Sequence, residues 1–406
     1  MFGVGFWLKD FEKIIENKQI AILITNLLMK MILRSSNKFE KLELIRDYQI
    51  LNGIGRKALL EAFNNLKIDS LVFSDCLDIN IETIANFSNN NSIKSLCLNS
   101  CDFSTNHTEI WNLLVKNKSI TSLDLSENEF IKSQFEIIIE SLNTNKTLTT
   151  LILNQIEIEF TSIGKMIAKL LRNNKTLKRL RLNKNVITFE CGNAIFSALC
   201  ENTSLTHLDI SYNSLDYRNC LMLKTMLQKN TTLISLNLSH NSLGESGTEI
   251  FSALCENTSL THLDISYNSL DSRNCFMLKT MLQENTNLIS LDLSHNSLGD
   301  SGHLIAEGLY KNTNLQFLFL LNNKFTIEIF KPFVDCLLIN TTLISLDLSY
   351  FSELETKDKL QIQLCLKQDK YVNVRERIII YDFEKDLGIR NLSSPYRTKI
   401  RYQTLC

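Results

Sequence analysis

Apolar and polar residues alternate in short groups through most of the chain. A typical group, Leu-Thr-His-Leu-Asp-Ile-Ser-Tyr-Asn-Ser-Leu, occupies residues 205–215. This period of two predicts a short strand that turns its leucines toward a core. Between the groups, apolar residues three and four apart, such as Ile250, Ala253 and Leu254, predict an amphipathic helix. Strands and helices are therefore expected to alternate along the chain.

The pattern is clearest in a passage that occurs twice. Residues 195–247 and 250–302 are identical except at six positions, and each copy holds two units. We expect twelve units in all, spaced 25–29 residues apart, which begin at Phe39, Ile68, Ile93, Ile120, Leu148, Leu177, Leu205, Leu233, Leu260, Leu288, Leu315 and Leu343. The strands of successive units are expected to pair in parallel, about 4.8 Å apart.

Two asparagines recur in nearly every unit. The first follows the strand, as Asn241 does, and its side-chain amide is expected to satisfy backbone groups in the turn. Cys101 takes this position in an early unit, whereas Ile156 and Phe351 predict irregular turns. The second lies three residues before each strand group, as Asn230 does. We expect it to adopt the left-handed conformation that ends a helix.

The Leu-x-x-Leu-x-Leu-x-x-Asn-x-Leu groups resemble the leucine-rich repeat superfamily. Their 25–29-residue spacing, helical return and Asn-Thr-x-Leu lead-in resemble its ribonuclease-inhibitor-like subfamily. That resemblance implies an α/β fold, a right-handed leucine-rich-repeat solenoid or horseshoe. Parallel strands would form its concave face and helices its convex face. The abundant asparagine, lysine and isoleucine and the duplication also resemble repeat effectors of intracellular bacteria or protist repeat proteins.

Three segments are expected from this organisation. Residues 1–38 read as an N-terminal helical cap, because a repeat stack exposes an apolar cross-section at its end. Residues 39–355 hold the repeats. Residues 356–406 are expected to form a C-terminal cap helix, a strand or last capping element near residues 377–383, and a basic tail carrying Arg397, Lys399 and Arg401.

Composition narrows the function. A net charge of −1 gives no general attraction to nucleic acid or an anionic membrane. Residues 20–33, the most apolar run, are too short and too interrupted to span a bilayer. The opening residues MFGVGFWLKD lack a basic region before an apolar core, so no secretory signal is expected. Eleven cysteines, several of them copies made by the duplication, read as reduced thiols in the cytoplasm, or in a host cytoplasm after delivery.

No enzyme, metal-binding or nucleotide-binding motif is present in the sequence. We therefore expect no catalytic residues, no metal, no cofactor and no small-molecule substrate. Residues flanking the inward leucines are expected to face the open groove. One strand carries Arg179 and Arg181, followed by Lys184, and another carries Phe317, Phe319 and Leu321. The position before the turn asparagine holds Tyr212, His240, Tyr267, His295 and Tyr350.

Exposed aromatic and arginine side chains in a concave surface are typical of binding hot spots. The sequence thus predicts a scaffold that binds a partner protein on its concave face. Phe317 and Phe319 would be apolar anchors, and Arg179 and Arg181 would pair with an acidic group. Duplication alone could produce the tyrosine–histidine stripe. The alternative is a GTPase-activating protein like that of nuclear transport, and an enzyme in the last fifty residues is disfavoured.

Overall fold

The structure is a computed structural model that describes residues 38–45, 67–75, 90–101, 103, 111, 117–156, 163–349, 358, 361–362 and 377–379. The chain divides into two compact units, residues 1–185 and residues 186–406. Their boundary falls inside the segment predicted to hold the repeats. Residues 1–37 of the expected N-terminal cap (1–38), Tyr350, Phe351 and the basic tail lie outside the described residues, and Lys38 belongs to the first strand.

The first unit contains parallel strands in chain order. They are β1 (Lys38–Ile45), β2 (Lys67–Ser74), β3 (Ser95–Asn99), β4 (Ser122–Asp124), β5 (Thr150–Ile152) and β6 (Arg179–Arg181). Helix α1 (Lys132–Thr144) follows β4, and helix α2 (Ile163–Asn173) follows β5. The strands are in register, so that Leu123, Leu151 and Leu180 pair in one row inside the core.

The second unit begins with helix α3 (Phe189–Leu199). Its strands are β7 (His207–Asp209), β8 (Ser235–Asn237), β9 (His262–Asp264), β10 (Ser290–Asp292), β11 (Phe317–Phe319), β12 (Ser345–Asp347) and β13 (Ile378–Ile379). Between them lie α4 (Cys220–Lys229), α5 (Gly247–Glu256), α6 (Cys275–Glu284), α7 (His303–Leu309) and α8 (Phe330–Ile339), of which α4 to α8 each follow a short 3-10 turn. The predicted α/β class, with parallel strands alternating with helices, is confirmed in both units.

The core lies between the strands and the helices. The alternating leucines point inward from the strands, and the apolar stripe of each helix covers them, as Ile250, Ala253 and Leu254 of α5 do. Helices pack closely on the following repeat. A Cβ placed on Gly247 would lie 2.5 Å from Leu270 Cδ2, so α5 begins with the one residue that permits this approach.

The first asparagine column acts as predicted. The Asn241 Nδ2 donates to the carbonyl oxygens of Ile210, Leu238 and Ser239 at 3.2, 2.9 and 3.2 Å. Its Oδ1 accepts from the Leu215 backbone N–H at 3.1 Å. One side chain therefore closes its own turn and also ties it to the preceding repeat. In an early repeat, the Cys101 thiol contacts the carbonyl oxygens of Phe73 and Asn99 in the same way.

An irregular turn was expected at Ile156, but the turn is regular up to that residue, where the described segment ends. Gln155 before it has a φ of 49°, and its N–H donates to the Asn183 carbonyl at 2.9 Å. Both features match the turns that do contain asparagine. The buried Ile156 side chain takes the place of the amide, and its own N–H is satisfied by Asn185 Oδ1 at 2.8 Å. A neighbouring repeat thus holds the turn in its regular form.

The reason given for the second asparagine column is wrong. Asn230 ends α4 with φ −80° and ψ 125°, which is extended rather than left-handed backbone. Its Oδ1 accepts from the N–H groups of Thr232 and Leu233, and its Nδ2 donates to the carbonyl oxygens of Leu199 and Asn202. Asparagine is needed here because its side-chain amide has both an acceptor and a donor. The oxygen accepts from N–H groups that precede the next strand, and the nitrogen donates to carbonyl groups at the helix end of the previous repeat.

At the C-terminal end, Arg377 takes the role of the second asparagine column. In the preceding repeat, Asn340 Nδ2 donates to the carbonyl oxygens of Leu309 and Asn312 at 2.7 and 2.9 Å. One repeat later, the Arg377 guanidinium donates to Leu337, Asn340 and Leu343 at 2.9, 2.6 and 2.6 Å.

Strand β13 follows Arg377 directly. Its Ile378 and Ile379 pair in parallel with Leu346 and Asp347 of β12, which confirms the strand predicted near residue 377. Asp358, Gln361 and Ile362 are helical, where a cap helix was expected. The edge of β12 is therefore covered by a short strand that a partly buried arginine positions.

Candidate functional site

The side chains beside the inward leucines form one face of each unit, which we name the strand face. In the second unit it comprises the first and third residues of β7 to β12 and the turn residue three positions after each of β7 to β11. Alternation along a strand sends these side chains away from the core. The structure therefore places the residues predicted to bind a partner on one surface within each unit.

The turn residues of this face have left-handed backbone. The φ angles of Tyr212, His240, Tyr267 and His295 lie between 52° and 55°. Each N–H donates to a carbonyl in the next repeat, as Tyr212 does to Ser239 at 2.9 Å and His240 to Ser266 at 2.9 Å. Glu127 and Lys184 of the first unit have φ angles of 59° and 58°. The conformation thus belongs to the repeat, and the second unit adds aromatic side chains to it.

Because these four residues share one backbone conformation, their rings stack. Ring centroids are 3.7 Å apart for Tyr212 and His240, 3.9 Å for His240 and Tyr267, and 3.9 Å for Tyr267 and His295. Interplanar angles are 11–15°. We name Tyr212, His240, Tyr267 and His295 the ring ladder. Tyr212 and Tyr267 remain 49% and 40% exposed, so the ladder is ordered and open to a partner.

The phenylalanine rung (Phe317, Phe319 and Leu321) differs from its prediction. Phe317 and Leu321 are half-buried, but Phe319 is only 5% exposed, so the expectation that both rings face solvent is wrong for Phe319. It pairs with Asp292 on one side and Asp347 on the other, and both are buried. Neighbouring residues in β10 and β12 flank Phe319 on both sides. The sequence pattern of one repeat does not show these neighbours.

The ring ladder reaches this rung at its C-terminal end. The His295 N–H donates to the Leu321 carbonyl at 2.7 Å. The His295 Nδ1 lies 3.1 Å from Asn322 Nδ2, which extends the column of turn residues into the phenylalanine rung. The ring ladder therefore adjoins the turn that follows the phenylalanine rung.

Arg179 and Arg181 form the basic row of the first unit, together with Lys184. Both arginines lie in β6, where they pair with Thr150 and Ile152 of β5, and both are half-buried. Lys184 occupies the left-handed turn position and is exposed. The basic row and the ring ladder lie in different units, so each is a separate candidate contact surface.

A row of aspartates was not singled out by the sequence. Asp209, Asp264, Asp292 and Asp347 occupy the third position of their strands. Each accepts from the backbone N–H two residues later, as Asp264 does from Ser266 at 3.0 Å. Asn237 does the same for Ser239 at 2.9 Å. These side chains stabilise the turns that carry the ring-ladder residues. The recurring Asp-x-Ser spacing in the sequence could have identified them.

Burial lowers the pKa of His240 and His262 from the ordinary value of 6.5, and nearby His295 lowers that of His240 further. The unfolded chain therefore binds more protons below that value. This contribution to stability is complete above about pH 6.5 and is lost as pH falls through the lowered pKa values. We expect His240→Gln/His262→Gln to flatten the fall in melting temperature between about pH 7.5 and pH 5. His303→Gln, at an exposed position, is the control, and an unchanged slope in the double variant would contradict the assignment.

The described residues contain no group of three or more potential metal ligands among histidine, cysteine, aspartate and glutamate. Burial raises the pKa of the Cys220 and Cys275 thiols to about 12, which makes them poor nucleophiles near neutral pH. In the same part of the chain, no helix has the length and apolar character needed to cross a membrane.

Comparison with known proteins agrees with the repeat pattern. Residues 201–218, 229–249, 256–273 and 284–302 match the family described as Leucine Rich repeat, and no curated protein matches the sequence. Among solved structures, the TLR13–ssRNA13 complex is 17% identical, with a TM-score of 0.45 over 86% of this chain and 54% of that chain. The Drosophila Toll–Spatzle complex is 14% identical, with a TM-score of 0.44, 84% coverage of this chain and 50% of that chain.

A third structure, the actin-binding site 2 of Leiomodin-1, is 22% identical with a TM-score of 0.31, over 44% of this chain and 90% of that chain. The chain spans about half the length of the first two chains. The segments that match the family contain β7, β8, β9 and β10. Residues 201–302 therefore contain four segments that match leucine-rich repeats.

Proposed function

We propose that the chain is a non-enzymatic scaffold that binds a partner protein through its strand face. The observation that carries the proposal is the ring ladder, four stacked aromatic side chains held in one conformation and partly exposed. Tyrosine is enriched in binding hot spots because its ring provides a large contact area at a small cost in conformational entropy. Stacking restricts the rings before a partner arrives, which lowers that cost further.

The phenylalanine rung supplies the apolar end of this contact surface. Phe317 and Leu321 are half-buried, and the Leu321 carbonyl accepts from the N–H of His295 at the end of the ring ladder. Phe319, being buried, supports this surface from beneath and is not expected to contact the partner. In the first unit, Arg179 and Arg181 are proposed to pair with an acidic group, because a guanidinium binds a carboxylate through two parallel hydrogen bonds.

The proposal is tested by affinity capture of cell proteins with the full chain and three variants. The strand-face variant is Tyr212→Ser/Tyr267→Ser/Phe317→Ser, and the basic-row variant is Arg179→Ser/Arg181→Ser. The matched control is Leu221→Ser/Phe276→Ser, which removes side chains that are 68% and 67% exposed on α4 and α6. Matched circular dichroism spectra establish that each variant is folded.

We expect at least one protein to be captured by the full chain and the control but lost from the strand-face variant. Chemical cross-links from that protein to β7–β11 would then locate the contact. Partners retained by the strand-face variant but lost from Leu221→Ser/Phe276→Ser would refute the proposal and place binding on the helices. If the captured protein is a GTPase and the chain accelerates its hydrolysis of GTP, the GTPase-activating function would replace the scaffold function.

A further inference from the structure

We propose that the strand face of the second unit binds an extended, arginine-rich segment of the partner. This rests on the proposed function and specifies the chemistry of its ligand. The docking site is the ring ladder, and the groups around it determine which charge and which hydrogen-bonding character the occupant must have.

The charges around the ladder all have one sign. The strand residues and following turns at 207–212, 235–240, 262–267, 290–295, 317–322 and 345–349 include four aspartates and no lysine or arginine. Asp264 lies three residues before Tyr267, and Asp292 lies three residues before His295. Asp264 is half-buried, whereas Asp209, Asp292 and Asp347 are buried. A cationic segment along the ladder would therefore approach Asp264 directly and experience the negative field of the buried carboxylates at successive repeats, which favours its approach.

The polar groups of the ladder favour a donor. A carboxylate can only accept hydrogen bonds, and a tyrosine hydroxyl and a neutral imidazole can each accept one. The lowered pKa of His240, caused first by burial, keeps its imidazole neutral at pH 7. An arginine guanidinium carries five N–H donors and no acceptor, so its donors suit the tyrosine hydroxyls, the neutral imidazole and the half-buried Asp264 carboxylate of this face.

A buried hydroxyl beside the ladder supports the same inference. Ser211 and Ser266 donate their hydroxyls to Asp209 and Asp264 at 2.7 Å in both cases. The corresponding Ser294 is 1% exposed, and its Oγ has no hydrogen-bond partner in the described part of the chain. Strand alternation puts Ser294 on the same side as Asp292, so an unsatisfied polar atom lies at the base of the strand face, next to His295.

Ring geometry distinguishes arginine from lysine. The rings of the ladder stack 3.7–3.9 Å apart, so their inner faces cover one another and a ligand meets ring edges and hydroxyl groups. A planar guanidinium can donate to several such polar groups at once in a fixed geometry. A compact ammonium keeps the charge but loses this geometry. Single-stranded nucleic acid could contact the exposed parts of the same rings. Its phosphates would be repelled by the aspartates, however, and the strand and turn segments of this face contain no lysine or arginine to offset that repulsion.

The chain supplies its own control for the charge. Asn237 occupies the position of Asp264 and Asp292 and holds its turn through the same hydrogen bond. The charge variant Asp209→Asn/Asp264→Asn/Asp292→Asn therefore removes three charges and keeps the turn geometry. The ring variant Tyr212→Ser/Tyr267→Ser removes two rings and keeps the charges. Tyr267→His keeps the stack, because histidine occupies this position at His240 and His295.

The test measures fluorescence anisotropy of four labelled probes with the full chain: an arginine homopeptide, a lysine and a glutamate homopeptide of the same length, and an oligouridylate. We expect the arginine peptide to bind most tightly, the lysine peptide more weakly, and the other two least. The charge variant and the ring variant should each weaken arginine-peptide binding about tenfold or more, while Tyr267→His should change it less than the ring variant does. Added salt should weaken binding to the unmodified chain more than to the charge variant.

Equal arginine-peptide binding by the unmodified chain and the charge variant would overturn the inference, as would tighter binding of glutamate peptide or oligouridylate. Failure of any arginine-peptide binding would also overturn it. These outcomes are separable from failure of the proposed function. A captured protein lost from the strand-face variant but retained by the charge variant would support the scaffold and reject the arginine-rich ligand.

Discussion

Replacing Arg377 with leucine is expected to lower the free energy of unfolding by about 2–3 kcal/mol, because three carbonyl oxygens lose a charged donor. Those carbonyls belong to Leu337, Asn340 and Leu343. Two of them correspond to the carbonyls that Asn340 satisfies one repeat earlier. Water can replace part of what is lost, since Arg377 is only partly buried, and this keeps the effect below the sum of three bonds.

The loss should be local before it is global. Repeat stacks are held by contacts between neighbours, so an end that loses its cap unfolds first. The Leu346 N–H donates to the Arg377 carbonyl at 2.8 Å. We expect faster hydrogen exchange in β12 and at the end of α8, with little change in β7 and β8. Arg172→Leu, on an exposed position of α2, is the control for loss of an arginine.

Denaturant unfolding with hydrogen-exchange mass spectrometry measures both effects. If Arg377→Leu unfolds with the same free energy as the unmodified chain, and β12 exchanges no faster, then the guanidinium is not the cap. Arg377→Lys adds a finer check, because one ammonium cannot reach three carbonyls in the geometry of a guanidinium. It should recover only a minor part of the lost stability.

Replacing Asn241 with leucine is expected to cost about 1–3 kcal/mol by leaving buried turn groups unpaired. The amide makes four hydrogen bonds, three as donor and one as acceptor. Leucine has a similar volume, so the change removes polar partners without opening a large cavity. The turn before Asn241 carries His240, so the variant should also disturb the ring ladder.

Thermal unfolding of Asn241→Leu measures this cost, and an unchanged melting temperature would remove the claim. Asn173→Leu, at an exposed position at the end of α2, makes the same chemical change on the surface and is the control. The chain also contains a natural precedent at Ile156, where a turn of the same column keeps its left-handed residue without an asparagine.

The sequence predicted where the two asparagine columns lie, but it did not correctly predict the role of the second. It assigned left-handed backbone to the second column, although that conformation occurs in neither column among the described residues. Asn230 is extended, and the left-handed residue is the tyrosine, histidine or other residue before the turn asparagine. Propensity favours asparagine for left-handed backbone, but hydrogen bonds to a neighbouring repeat override it, and a single repeat does not reveal those bonds.

The same distinction applies to the strand face. The sequence identified Tyr212, His240, Tyr267 and His295 as one column, but their stacking depends on four equal φ angles and the separation of successive strands. It identified Phe319 as exposed, whereas the side chains of adjacent strands leave only 5% of it accessible. It missed Arg377 as a cap, because the partners of that arginine lie 34–40 residues away.

The sequence by itself determined the period, the α/β class, the strand register and the candidate surface. These follow from local alternation and from repetition, which a one-dimensional pattern carries completely. Tertiary structure alone decided which side chains of that surface remain exposed, which rings stack and which group closes the last repeat. These depend on distances between residues of different repeats, and on the competition among several polar groups for the same carbonyls.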